Sequence, residues 1–287
     1  MGEREKRDWI PLLLLLPTLI YLIAFLGYPL IETFILAFTS DQGALGNFRR
    51  LTATGEFWEA LRNTLLITAV IVPLQLGFAL MLALFINMKF KGYTFILYII
   101  SIPLALSDVS ASLMSYTIFA PMGYLNKLLM NLHIIDRPIY FFGFTYQTRE
   151  FWVIVLTEVW RATPLVFVII LAGLQAVNKE YLEAADIFGF SRWQKFTRII
   201  LPLLKPSILS ALLIRTLFAF QIFGVVWLLA GRDIPILAGE AYYWQTEVNN
   251  SNVACTYGLV IALVSLVISW AYLTFLKPGH LEGEVTE

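Results

Sequence analysis

The chain has 287 residues with no net charge, and 59% of them are apolar while only 14% are charged. A mean hydropathy of +0.75 lies far above the range of soluble globular domains, so the composition indicates a membrane protein. The balanced charge excludes a nucleic-acid partner, which would require a basic excess. The single cysteine, Cys255, can form no intrachain disulfide, and the separation of His133 from His280 predicts no metal site.

Six apolar runs are long enough to cross a bilayer, because about 30 Å of hydrocarbon requires roughly 20 helical residues. The runs cover residues 10–38, 61–86, 93–120, 151–177, 204–230 and 253–276. None alternates with the period of a barrel strand, and backbone groups in lipid must bond within their own segment. The sequence therefore predicts an all-α polytopic fold. The first run has no signal-peptide cleavage site, so we expect it to be retained.

Lysine and arginine are unequally divided between the two sets of loops, which predicts the orientation of the chain. Of the 20 basic residues, eleven fall in or at the edge of one set of loops, seven in or at the edge of the other, and two, Arg161 and Arg215, deep within the spans. Because basic loops remain in the cytoplasm, we expect both termini to be cytoplasmic. The predicted location is the cell membrane, with the helices in contact with lipid.

The outer segment of residues 121–136 has apolar side chains at helical spacing, with Asn126, Lys127 and Asn131 on the opposite face. This pattern predicts a short amphipathic helix. We expect it to lie in the outer interface or to cap the bundle, and a ligand groove is the alternative.

The segment of residues 178–203, between the fourth and fifth spans, is too polar for the bilayer and too regular for a linker. Asn178 can cap a first helix, and Gly189 interrupts the pattern. Ser191 and Gln194 form a capping box that starts a second helix. The sequence thus predicts two short cytoplasmic helices here.

The first of these two helices carries a motif that resembles a known family. The motif consists of Glu183, Ala184, Ala185 and Gly189, followed after nine residues by Ile199, Leu201 and Pro202. It is similar to the EAA signature of permease subunits in binding-protein-dependent ABC importers. The resemblance implies that residues 1–287 form a single transmembrane permease domain of the type I importer fold, with residues 178–203 as its coupling helices. An ordinary connecting helix pair is the alternative.

The resemblance extends over nearly the whole chain and indicates the first permease subunit of maltose/trehalose-type sugar importers. It is carried further by residues 47–65, 171–175 and 215–223. The chain departs from the family at Gly224, where aspartate is common, and at residues 230–235, where the family has a glycine-rich turn. That outer loop lies near the docked binding protein in relatives, so the departure bears on the choice of sugar.

Charged residues within the spans cannot face lipid, because a charge at the bilayer centre costs at least about 2.5–3.5 kcal/mol. Glu158 and Arg161 are three residues apart on one helix and can pair directly. Arg215 requires a partner from another span, such as Glu158 or Asp108. Two interpretations remain open: these residues form an internal ion-pair network, or they contact the substrate.

The resemblance implies sugar contacts in the middle of the fourth and fifth spans, at residues 161–165 and 215–222. Sugars bind to aromatic rings and placed polar groups, and this part of the chain offers both. The candidate pore residues are Arg161, Thr163, Arg215, Phe218, Ala219, Gln221, Ile222 and Trp227. The aromatic residues also fit simple packing. Unpaired arginines would favour an anionic sugar or a glycerol phosphate over a neutral di- or oligosaccharide.

The chain contains no G-x-x-x-x-G-K-S/T loop, so we expect no cofactor on it, and ATP and magnesium on separate ATPase subunits. The resemblance implies two such subunits, a second permease and an extracytoplasmic sugar-binding protein as partners. Glu183, Ala184, Ala185, Asp186 and Gly189 would form the joint with the ATPase. ATPase closure would rock the spans between inward-open and outward-open states.

A secondary transporter and a membrane-embedded enzyme are the two alternative classes of membrane protein. A secondary transporter would show inverted repeats or paired discontinuous helices, and the sequence reveals neither. A membrane-embedded enzyme would need converging His, Asp or Cys residues in its spans, and no such cluster is evident. We therefore predict a transport subunit without enzymatic activity of its own.

Overall fold

A computed structural model describes residues 2–275, and this part of the chain is helical with no strand. The α-helices in chain order are α1 (Gly2–Leu22), α2 (Tyr28–Phe38), α3 (Gly46–Ala53), α4 (Gly55–Asn87), α5 (Tyr93–Ser101), α6 (Asp108–Phe119), α7 (Tyr124–Asn131), α8 (Gln147–Gln175), α9 (Lys179–Ile187), α10 (Arg192–Lys195), α11 (Leu201–Leu203), α12 (Lys205–Phe220), α13 (Gly224–Ala230), α14 (Leu237–Thr246) and α15 (Ser251–Phe275). Wider π-helical turns join α1 to α2 and α10 to α11. The predicted end of the sixth span at residue 276, and His280, lie outside the described residues.

Four helical stretches within residues 2–275 are long and apolar enough to cross a membrane, and two bent pairs bring the number to six if each pair is one span. The four are Leu13–Phe38, Gly55–Asn87, Phe144–Gln175 and Ser251–Thr274. The bent pairs are Tyr93–Ala105 with Asp108–Asn131, and Arg192–Leu203 with Lys205–Phe220. These six overlap the predicted runs in order, although the second bent pair begins within the segment of residues 178–203, and the all-α polytopic fold is confirmed.

The third predicted span is broken rather than continuous. The helices on either side of Leu106 and Ser107 differ in direction by 102°. Pro103 lies in a 3-10 turn that ends the first part, and the Ser107 side chain caps α6 by accepting a hydrogen bond from the Ser110 N–H at 3.1 Å. The prediction of one helix over residues 93–120 is wrong, because this proline turn and this cap outweigh the apolar content.

The fifth predicted span is also interrupted. Helix α12 ends at Phe220 and α13 begins at Gly224, so residues 204–230 do not form one helix. Helix α13 packs instead against α6 and α8. The expectation that the chain has no discontinuous helices is therefore wrong. Gly224 follows this break directly and begins α13, so a glycine at the break and the packing of α13 against α6 and α8 both accompany the interruption.

The chain divides into two compact units, which are Met1–Phe57 with Glu240–Val260, and Trp58–Gly239 with Ile261–Glu287. In the first unit, the buried Asn47 amide donates hydrogen bonds to the Ala37 and Thr39 carbonyls at 3.1 and 2.9 Å. Asn252 adds a third bond to the Thr39 carbonyl at 3.0 Å. These amides satisfy carbonyl groups that the C-terminus of α2 leaves without helical partners.

The second unit has two hydrophobic clusters, and α8 contributes to both of them. Val153, Ile154 and Val155 belong to the first cluster, while Val166 and Phe167 belong to the second. The part of α8 between these stretches carries the charged residues of the fourth span. The fold thus places those charges between two apolar layers of the same helix.

The outer amphipathic helix is shorter than predicted, since α7 covers Tyr124–Asn131 rather than residues 121–136. Asn126, which we expected on the polar face, is fully buried. Its amide donates to the carbonyls of Ala120 and Ile139 at 3.1 and 2.9 Å and accepts from the Ile139 N–H at 2.8 Å. Helical spacing alone did not reveal that these three bonds would satisfy a buried amide.

Candidate functional site

Glu158 lies at the centre of a buried ionic network in the middle of α8. Its side chain is fully buried, and its Oε1 accepts hydrogen bonds from Nε and Nη2 of Arg161 at 3.1 and 2.9 Å. Its Oε2 accepts a hydrogen bond from Nη2 of Arg215 in α12 at 2.7 Å. One carboxylate therefore joins two arginines from two different spans.

Asp108 and Gln75 complete this network. Asp108, at the start of α6, lies with its Oδ1 2.9 Å from Nη1 of Arg161. The fully buried Gln75 of α4 donates to the backbone carbonyl of Glu158 at 2.8 Å, and its Oε1 accepts from Nε of Arg215. The network contains two arginines and two carboxylates, so its formal charge is zero. Paired in this way, the charges can be buried within the membrane.

A cavity of about 320 Å³ opens beside the network, at the two helix breaks. The predicted site residues that line it are Asp108, Arg161, Arg215, Phe218, Gln221 and Ile222. Leu104, Ala162 and Leu165 complete the lining. The cavity thus combines charged and amide groups with an aromatic ring and aliphatic side chains, as small-molecule sites generally do.

Three predicted pore residues lie outside this lining. The Thr163 hydroxyl donates to the Val159 carbonyl of its own helix, and Ala219 is fully buried in the first hydrophobic cluster. The Trp227 ring stacks on Phe223 with ring centroids 5.7 Å apart. Helical spacing predicted the correct part of the chain, but it did not distinguish side chains that face the cavity from those that pack.

Gln75, which contacts both Glu158 and Arg215, was not among the predicted site residues. It is an amide deep inside an apolar run, far from both ends of the second span. An uncharged polar group in the middle of a span needs a buried partner, just as a charged group does. This position was the signal that could have identified Gln75.

Replacing Gln75 with leucine is expected to destabilise the protein by about 1–3 kcal/mol, because Nε of Arg215 would lose a buried acceptor. The midpoint of denaturation of the purified protein in detergent measures this change. Gln245→Leu, at an exposed position, serves as the control and should leave the midpoint unchanged. Equal midpoints for the two variants would show that Gln75 contributes nothing to the network.

The coupling hairpin, which we define as residues 178–203, begins with two capped helices. The Asn178 side chain accepts from the Glu180 N–H at 3.1 Å and caps α9. Ser191 and Gln194 form a reciprocal capping box at α10, with bonds of 3.3 and 2.8 Å. Gly189 lies between the helices at φ +70°, a conformation that glycine adopts without strain.

The exposed face of α9 differs from the predicted one at a single residue of that face. Ala185, which we expected to contact a partner protein, is only 3% exposed and therefore faces the rest of this chain. Tyr181, Ala184 and Phe188, the other apolar residues expected on that face, are exposed, and Ile187 is 86% and Phe188 80% exposed. At the end of this helix the Phe190 N–H donates to the Ala185 carbonyl at 2.9 Å.

The two acidic residues of the motif have different surroundings. Asp186 forms an ion pair with Lys195, which joins α9 to the helix that follows. Glu183 lines a second cavity of about 750 Å³, together with Asn87 at the end of α4 and Gln175 at the end of α8. Ala184 is exposed. Asp186 lines the same cavity, so both carboxylates lie beside the ends of two spans, but of the two it is Asp186 that forms this ion pair within the hairpin.

The fold resembles that of solved transporters. The permease in a crystal structure of a bacterial alginate ABC transporter, in complex with an alginate pentasaccharide-bound periplasmic protein, superposes with a TM-score of 0.83. The two chains are 24% identical, and the match covers 96% of this chain and 97% of that one. At this identity the likeness establishes the type I permease fold alone.

Sequence relatives extend over most of the chain. The trehalose transport system permease protein SugA of Mycobacterium tuberculosis is 33% identical over 240 residues, covering 80% of this chain and 76% of the relative. The trehalose/maltose transport system permease protein MalF of Thermococcus litoralis is 32% identical, covering 95% and 94%. The profile of the binding-protein-dependent transport system inner membrane component family matches residues 75–277. The chain belongs to this family of inner-membrane permeases.

Proposed function

We propose that this chain is the permease subunit of an ATP-driven importer of a neutral di- or oligosaccharide. Relatives whose names specify trehalose, maltose or lactose transport support a neutral sugar. The size of the cavity supports a small ligand or one end of a longer one. The structural observation that carries the proposal is the charge balance of the cavity wall.

An anionic sugar would require unpaired arginines in the cavity wall to neutralise its charge. Arg161 bonds to both Glu158 and Asp108, and Arg215 bonds to Glu158. These arginines are the cations among the described lining residues, and carboxylates already neutralise both. A bound anion would therefore add uncompensated negative charge to a partly buried site. The same ion pairs leave hydrogen-bonding groups available for neutral hydroxyls.

The lining residues fit the chemistry of a sugar. The half-exposed Phe218 ring can lie against the C–H face of a pyranose, and the exposed Gln221 amide can donate to and accept from its hydroxyls. Both residues lie at the second helix break, next to the charged network. The network thus has two roles in the proposal: it stabilises the bundle, and Asp108 and the arginines also form part of the binding surface.

Transport would be driven from the coupling hairpin by ATP hydrolysis on two separate ATPase subunits, which would hold the ATP and magnesium. Ile187 and Phe188 offer exposed apolar contacts for an ATPase cleft, while Glu183 lies where α4 and α8 end. A force on α9 would therefore reach two spans directly. A second permease and an extracytoplasmic sugar-binding protein complete the proposed assembly, and both termini would be cytoplasmic.

The observed helix breaks mean that an absence of discontinuous helices no longer argues against a secondary transporter. Membership of the binding-protein-dependent family supports an ATP-driven importer instead. Uptake by the assembled complex in lipid vesicles separates the two mechanisms, with the binding protein outside and ATP enclosed within. We expect uptake of labelled trehalose or maltose to require ATP and to exclude a uronate disaccharide. Uptake driven by an ion gradient without ATP would refute the mechanism, and preference for the uronate would refute the substrate class.

A further inference from the structure

Asp108 and Gly224 approach each other unusually closely at the cavity. A Cβ atom at Gly224 would lie 2.8 Å from the Cβ of Asp108 and 3.4 Å from its Oδ2. Both Cβ positions are fixed by the backbones of α6 and α13, so no rotamer change could relieve the contact. Any residue other than glycine at position 224 would therefore force Asp108 out of its place.

Asp108 is the exposed carboxylate of the ionic network. Its side chain is 43% exposed, whereas Glu158, which binds the same arginine, is 0% exposed. Asp108 also lines the cavity, and Glu158 is not among the lining residues. Arg161 fixes Oδ1 at 2.9 Å, and the start of α6 favours the negative charge there. An ionised carboxylate only accepts hydrogen bonds, so it attracts hydroxyl groups and repels anions.

From this geometry we propose that Asp108 contacts the sugar and selects neutral hydroxyls over anionic groups, and that Gly224 is the positioning residue that admits it. The proposal rests on the proposed function of sugar import and specifies which carboxylate sets the substrate class. Arg161 holds Asp108 from one side, while the missing side chain at position 224 leaves room for it on the other.

Asp108→Asn tests the contact, because asparagine keeps the shape and removes the charge. In the variant, two arginines face only Glu158, so the formal charge of the network rises from zero to +1. In vesicle uptake assays we expect KM for the neutral disaccharide to rise about tenfold, since the sugar hydroxyl would bond to a neutral amide oxygen in place of a charged carboxylate. We also expect the ratio of neutral to uronate uptake to fall at least tenfold, with the ATP requirement unchanged.

Gly224→Ala tests the positioning role. It should lower the same uptake ratio by displacing Asp108, while Gly77→Ala should not, because a Cβ at Gly77 would meet nothing within 4 Å. The double variant Asp108→Gly with Gly224→Asp returns a carboxylate to the gap from the facing helix. We expect this exchange to recover discrimination against the uronate relative to either single change, which simple loss of packing would not produce.

The outcomes separate this inference from the function on which it rests. If the unmodified complex imports a neutral sugar with ATP and Asp108→Asn keeps the same uptake ratio, the selective role of Asp108 is refuted and the importer stands. If the unmodified complex shows no ATP-driven sugar uptake, both proposals fail. If Gly224→Ala aggregates, the exchanged double variant still tests the proposal, since it removes the Asp108 side chain that a Cβ at position 224 would meet.

Discussion

Replacing Glu158 with alanine is expected to destabilise the folded chain by about 3–5 kcal/mol, the cost of leaving a buried charge without its partner. Arg215 is only 3% exposed and would keep Gln75 as its one remaining partner among the bonds described above. Arg161 would retain Asp108, so the damage centres on Arg215. The shift in the denaturation midpoint of the purified protein in detergent measures the loss.

Two further variants give this experiment its controls. Asp136→Ala removes an exposed carboxylate and should change the free energy of unfolding by no more than about 0.5 kcal/mol. The double change Glu158→Leu with Arg215→Leu removes both buried charges, and should recover much of the lost stability, because apolar replacements of a buried pair are often neutral. If Glu158→Ala were as stable as Asp136→Ala, the network would have no structural role.

Gly189→Pro is expected to reduce ATP-driven uptake at least tenfold. Gly189 has φ +70°, whereas proline is restricted to about −65°. The change also removes the N–H that bonds to the Asp186 carbonyl at 3.0 Å. The end of α9, which presents Ile187 and Phe188, would therefore be displaced. Parallel measurements of uptake and of sugar-stimulated ATPase activity in vesicles detect the loss of coupling.

Gly189→Asn provides the matched control, because asparagine tolerates a left-handed conformation and keeps the N–H. We expect this variant to retain most of its uptake. The complexes should be compared after purification in the assembled form, so that loss of coupling is separated from loss of assembly. Full sugar-stimulated ATPase activity in Gly189→Pro would show that the coupling hairpin does not transmit the motion.

The features that sequence predicted well are those fixed by local chemistry. Apolar runs of membrane length predicted the four long helices and overlap the two bent pairs within the described residues, because a bilayer sets the length that a spanning helix must have. The caps at Asn178 and Ser191 were also predictable, since each depends on a side chain bonding to a backbone N–H two or three residues away. The pairing of Glu158 with Arg161 follows from helical spacing in the same way.

The features that sequence did not predict depend on contacts between distant segments. The break at residues 221–223 is marked locally only by Gly224, and the direction of α13 after it is set by packing against α6 and α8. Gln75 reaches Arg215 across 140 positions of the chain. In each case the contacting residues lie too far apart in the chain for helical periodicity to predict the contact.

A cysteine cross-link from α9 is the sharpest test of whether this chain passes on the energy of ATP hydrolysis. Ile187→Cys, in a chain whose native Cys255 is changed to serine, places a reactive thiol at a position that is 86% exposed. In the assembled complex, a short bis-maleimide should join it to an ATPase subunit, and bound nucleotide should change the yield. If the thiol instead reacted in intact cells with a membrane-impermeant maleimide from outside, or joined no nucleotide-hydrolysing subunit, the proposed coupling would be wrong.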